Sequence, residues 1–167
     1  MRLTECFAMT AITALLLAGC AAKHGTSPKG LEVPIEMAAV RFSADVKDGG
    51  YKIVTTDELK KWLDEGKKMI IISSMTHEEN RVSGIIPGAM SASLPESEQE
   101  ITPEDKEHLL SAAGGNKEAV LIVYSRFVAS RKSHIGAKLL VKYGYKNVYR
   151  FPAGVIGWGE SGYSLKK

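Results

Sequence analysis

The stretch Ala119-Val120-Leu121-Ile122-Val123-Tyr124 is apolar throughout and rich in β-branched residues. A run of that length and composition reads as a strand buried on both faces. The next ten residues, Ser125 to His134, are mostly polar or small. Ile135, Leu139, Leu140 and Tyr143 then recur at helical spacing, and Gly144 stops the helix. The unit is therefore strand, tight turn, helix. The same alternation extends to either side. Tyr51 to Val54 reads as a short strand. Thr55-Thr56-Asp57-Glu58 is a capping box before a helix with Leu59, Trp62 and Leu63 on one face, ended by Gly66. Met69 to Ile72 is a second buried strand. Thr102-Pro103-Glu104-Asp105 starts a helix that carries Leu109 and Leu110 and ends at Gly114-Gly115. Asn147 to Phe151 is a further strand. Short strands separated by helices predict an α/β fold, a mainly parallel sheet flanked by helices in a single domain. No internal repeat is visible.

Composition narrows the function classes. The chain has 167 residues, 44% hydrophobic and 25% charged, with a net charge of +3. That excludes a disordered chain, a collagen-like chain and a polytopic membrane protein. The basic residues are scattered beside acids, so no nucleic-acid partner is expected. The two cysteines exclude a disulfide scaffold and a four-cysteine zinc site. No other His, Cys and Asp grouping has ligand spacing, and no glycine-rich nucleotide fingerprint occurs, so neither a metal nor a cofactor is expected.

Both cysteines, Cys6 and Cys20, lie in the first twenty residues. Arg2 precedes an apolar stretch from Phe7 to Leu17, too short to span a bilayer well. Leu17-Ala18-Gly19-Cys20 resembles the lipobox of bacterial lipoproteins. The resemblance implies cleavage before Cys20 and acyl chains on its thiol and amino group, hence a membrane anchor. Ala21 is similar to the pattern sorted to the outer membrane, facing the periplasm. The expected organisation is a signal peptide at 1–19, a lipidated N-terminus and tether at 20–39, and a folded domain at 40–167. Met37, Ala38, Val40 and Phe42 are expected to form a short docking element.

The turn after the central strand is the candidate site, because ligands of parallel sheets bind beyond the carboxyl ends of strands. Ser125, Arg126, Phe127, Val128, Ala129, Ser130, Arg131, Lys132 and Ser133 are read as an anion-binding loop. Its N–H groups and the following helix N-terminus favour negative charge, and Arg126, Arg131 and Lys132 add cations. His134 is read as a helix-start histidine near solvent, and His77 and His108 as surface residues. Trp62 and Trp158 are expected in or beside the core. Glu96-Ser97-Glu98-Gln99-Glu100 is expected to be a solvated loop, and Glu78-Glu79 surface.

Three blocks, taken in order, resemble the rhodanese-like family: Gly84-Ile85-Ile86-Pro87-Gly88-Ala89, Val123 through Ser133, and Gly144 through Trp158 with Gly162-Tyr163. The resemblance implies an α/β domain over about residues 40 to 165. It also implies sulfane-sulfur transfer through a cysteine at the first loop position, which here is Ser125. A serine hydroxyl cannot form a persulfide. The resemblance places the family's other site residues at Ser130, Ser73, Ile85 and Ala153, and each departs from the family pattern. No residue is therefore assigned as catalytic. The expected function is a catalytically inactive, membrane-anchored rhodanese-like lipoprotein that binds a small oxyanion or an envelope protein. The alternatives are a sulfurtransferase working with a partner's thiol, and a phosphatase-like enzyme. The latter rests on five residues between Ser125 and Arg131, a spacing similar to that of phosphatases sharing the fold.

Overall fold

A computed structural model describes residues 32–167. The signal peptide, Cys20 and the first part of the tether lie outside the described residues.

Helix α1 spans Glu32–Gly49, followed by strand β1 at Lys52–Ile53 and helix α2 at Thr56–Asp64. Strand β2 (Ile70–Ser73), helix α3 (His77–Ser83) and strand β3 (Met90–Ser91) come next. A single 3-10 turn at Glu98–Glu100 leads to α4 (Pro103–Ala113), β4 (Val120–Tyr124) and α5 (Lys132–Lys142). β5 (Asn147–Phe151) and α6 (Gly154–Glu160) close the chain. The five strands form one sheet in the order β1-β5-β4-β2-β3, and every pair is parallel. The α/β expectation is met, with six helices around the sheet among the described residues.

β4 lies at the centre, and its alternation divides the core. Leu121 and Val123 face one apolar cluster with Ile72, Leu109, Ile135 and Leu140. Ile122 and Tyr124 face the other, with Leu59, Ile71, Val155 and Trp158. Side chains of a strand point alternately to opposite faces, so a continuous apolar run fills both layers. Each fully buried aliphatic side chain contributes about 1.5–3 kcal/mol. Trp158 is buried and Trp62 packs edge-on against Tyr149, both as expected.

Capping fixes where three helices begin. Thr55 with Glu58, Thr76 with Glu79, and Thr102 with Asp105 each form a reciprocal pair of hydrogen bonds. Helix α1 begins at residue 32, so residues 32–39 of the span read as tether are helical. Its inward-facing residues include Asp45 and Gly49, whereas Val33, Met37 and Val40 are exposed. The apolar pattern therefore gave no sign of which side packs.

The start of α6 fixes the loop after β4. Val155 and Ile156 donate N–H bonds of 3.0 Å to the carbonyls of Ser125 and Arg126. Gly154, at φ 63°, makes that approach possible, since a Cβ there would stand 2.3 Å from the Ser125 carbonyl oxygen. Gly154→Ala is expected to cost about 3 kcal/mol, from left-handed strain plus this clash. Urea unfolding of the variant beside wild type measures it.

Candidate functional site

Ser125 stands at the carboxyl end of β4, 1% exposed, and its Oγ has no hydrogen-bond partner among the described residues. The chain then turns through Phe127 to Ser130, whose N–H donates to the Phe127 carbonyl at 3.1 Å. Four carbonyls of this loop are engaged from behind, those of Ser125, Arg126, Val128 and Ser130. α6 takes those of Ser125 and Arg126, as above. Arg150, at 0% exposure near the end of β5, takes others: its Nη2 donates to the carbonyls of Val128 at 2.9 Å and Ser130 at 3.1 Å. Its Nε donates to Ser133 Oγ at 3.1 Å. Its Nη1 donates to Tyr51 Oη at 3.3 Å and lies 3.5 Å from Asp45 Oδ2. The N–H groups of residues 126–129 meet no protein acceptor among the described residues. Residues 126–129 are exposed, so with several carbonyls held these N–H groups face outward toward an acceptor from solvent.

The cations are disposed differently from the sequence expectation. Arg131 lies 3.5 Å from Asp45 Oδ1 and 4.0 Å from Glu98 Oε1. Lys132 is buried and donates to Glu79 Oε2 at 2.5 Å. That Lys132 ammonium and the Thr76 cap together hold the Glu79 carboxyl below its ordinary value, although burial opposes them. Only Arg126, of the three, pairs with no carboxylate among the described residues; it lies near the exposed Phe127 ring. Residues 96–100, expected to be a solvated loop, carry ion pairs and loop contacts. Glu96 accepts from Ser130 Oγ at 2.9 Å and from the Arg131 N–H at 2.6 Å. One internal carboxylate thus already occupies the helix-proximal edge of the loop. Neither Glu96 nor Arg150 stood out as site residues in the sequence. Their signal is three-dimensional, arising from partners 20 to 35 positions away.

Ser73 donates to Asn80 Oδ1 at 2.8 Å, and Asn80 in turn donates to Ser91 Oγ. Ile85 bridges to Lys166 through its backbone, and Ala153 stands at the N-terminus of α6. Among the described residues, the Ser133 hydroxyl accepts only the Arg150 bond given above.

His134 is not near solvent: its exposure is 0%. Its ring faces Tyr51 and the Asp45 and Asp48 carboxylates of α1. Its Nδ1 lies 2.9 Å from Tyr51 Oη, and its Nε2 has no hydrogen-bond partner among the described residues. Burial lowers its pKa, with Asp45 opposing and Arg131 and Arg150 reinforcing the shift. Burial raises that of Tyr51.

Residues 55–161 match the family described as "Rhodanese-like domain". The chain belongs to that family. Solved structures share its fold. Thiosulfate sulfurtransferase from Pseudomonas aeruginosa is 18% identical, matching 77% of this chain and 22% of that one, with a TM-score of 0.59. The polysulfide-sulfur transferase homodimer from Wolinella succinogenes is 20% identical, over 80% and 90%, at 0.56. A Rhodopseudomonas palustris protein of unknown function, described as a possible tyrosine phosphatase, is 18% identical over 84% and 97%, at 0.51. Among curated proteins none matches the chain.

The buried histidine makes stability depend on pH. Folding favours its neutral ring, while the unfolded chain takes up a proton as pH falls through about 6.5. The unfolded state then binds more protons, so stability is present above that pH and declines below it, by at most about 1.4 kcal/mol per pH unit. The unfolding midpoint in urea is expected to fall between pH 7 and 5. His134→Gln is expected to flatten that fall.

Proposed function

We propose that this rhodanese-like protein is a membrane-anchored lipoprotein that does not transfer sulfur and whose 125–133 loop binds a small oxyanion. The observation that carries the reading is the orphaned Ser125 hydroxyl beside the unclaimed N–H groups of 126–129. Sulfur transfer through the loop needs a thiolate that becomes a persulfide. Ser125 holds the position that the family resemblance gives to that cysteine, and the only cysteines are Cys6 and Cys20. What remains is a cradle without a nucleophile. A tetrahedral oxyanion such as thiosulfate, sulfate or phosphate suits it, with Arg126 as the available cation and α5 adding its N-terminal dipole. The exposed Phe127 and Val128 beside the loop favour an envelope protein as the next occupant to consider. Lipid on Cys20 would hold the domain at the membrane, on the periplasmic face of the outer membrane.

Family membership favours sulfurtransferase activity with a partner's thiol as the second reading. The phosphatase-like reading has less support. Arg131 is held by Asp45 and Glu98, and His134 faces Tyr51 and acidic groups.

Two measurements test the proposal. Cyanolysis of thiosulfate by the purified protein is expected to yield no more thiocyanate than a denatured control; clear turnover overturns the inactive reading. Calorimetric titration with thiosulfate and sulfate is expected to show binding that weakens about tenfold in Arg126→Ala, a loss of about 1.4 kcal/mol typical of one charged hydrogen bond. Glu96→Gln is expected to bind several-fold more tightly, because it removes the internal negative charge at the loop. Absence of binding in both wild type and Glu96→Gln removes the oxyanion.

A further inference from the structure

At the start of α5, three carboxylates converge on the orphaned nitrogen of His134. Nε2 lies 3.5 Å from Asp48 Oδ2, 3.7 Å from Glu98 Oε1 and 3.9 Å from Asp45 Oδ1. One donor atom each from Asp48, Glu98 and His134 falls within 4.8 Å of the others. We propose that Asp48, Glu98 and His134 bind a divalent transition-metal ion of the zinc class, with Asp45 within reach as a fourth ligand.

The geometry carries this beyond an acidic cluster. A metal bound to N and O donors at about 2.0–2.1 Å sets neighbouring tetrahedral ligands roughly 3.3 Å apart. The observed separations from Nε2 exceed that by only a few tenths of an ångström. A fully buried imidazole nitrogen without a partner is costly, and coordination would satisfy it. Ligation through Nε2 needs the ring proton on Nδ1, where it donates to Tyr51 Oη, itself accepting from Arg150. That is the outer-shell bond that usually orients a metal-bound histidine. One imidazole with carboxylates suits zinc and its neighbours rather than the all-oxygen sets of calcium or magnesium.

A cation already serves these carboxylates. Lys138 donates to Asp48 Oδ2 at 2.7 Å and to Glu98 Oε1 and Oε2 at 3.0 and 3.1 Å. Arg131 approaches Asp45 and Glu98, and Arg150 approaches Asp45. Arg131 and Arg150 remain in place when metal binds. Lys138 is different: it sits at the rim, partly exposed, on a flexible stem, and can swing to solvent. Metal binding is thus an exchange in which the ion displaces the Lys138 ammonium. The ligands come from α1, from the 3-10 turn and from α5, so the ion would tie these three segments together.

The test is a zinc titration of the full chain in detergent against a chromophoric chelator, with cobalt(II) absorption as the spectroscopic readout. Wild type is expected to bind one equivalent. Asp48→Asn and His134→Gln are expected to weaken binding tenfold or more. Lys138→Met is expected to tighten it several-fold, the opposite direction to any general loss of structure. Asp48 is half exposed, so its variant keeps the test valid if His134→Gln does not fold. Binding unchanged in Asp48→Asn would place the zinc elsewhere and overturn the proposal. So would the absence of stoichiometric binding in both wild type and Lys138→Met.

Discussion

Arg150 reaches the interior from β5, and its guanidinium contacts α1, Tyr51, the 125–133 loop and the first turn of α5. A charge without solvent contact persists only where its donors are satisfied, and here the acceptors are mostly backbone and hydroxyl oxygens. The loop therefore cannot relax without stranding a buried cation. Deleting one side of such an arrangement typically costs about 3–5 kcal/mol. The shape of the loop is held by β5, by α6 and by Glu96, and none of these contacts uses the side chain at position 125.

That independence leaves the form of the loop to its backbone and the groups that hold it. Backbone carbonyls point to the Arg150 guanidinium and to the α6 N–H groups, and the N–H groups of 126–129 stay unclaimed. The charged side chains form a separate layer. Arg131, Lys132 and Lys138 each face carboxylates, so positive charge that looks available in sequence is largely neutralised in place.

The sheet was legible because period and punctuation agree: apolar runs at 69–72 and 119–124, capping boxes at Thr55 and Thr102, and glycines at the ends. The α1 helix was not, because its inward residues are Asp45 and Gly49 and its outward ones are Val33, Met37 and Val40. Hydrophobic periodicity finds apolar faces, and this helix turns Asp45, Gly49 and the half-buried Val46 inward while most of its apolar residues stay exposed. Arg150 escaped for a related reason. Within Val148-Tyr149-Arg150-Phe151 a charge reads as an outward-facing position of a strand, whereas the strand is interior and the charge turns to the loop. His134 and residues 96–98 depended on α1 and could not be placed before it.

The topology of the sheet also has a kinetic side. β1 pairs only with β5, aligning Lys52 with Tyr149, and β2 pairs with β4 across some fifty residues. No strand pair here is a hairpin, so each ladder must close a long loop before it gains any hydrogen bond. Such a chain folds more slowly than a helical bundle of equal length, and until β5 arrives the edge of β4 remains open. An apolar strand such as Val120–Tyr124 with an unpaired edge is an aggregation hazard while it waits. The last strand to be made is thus the one that closes the centre of the sheet.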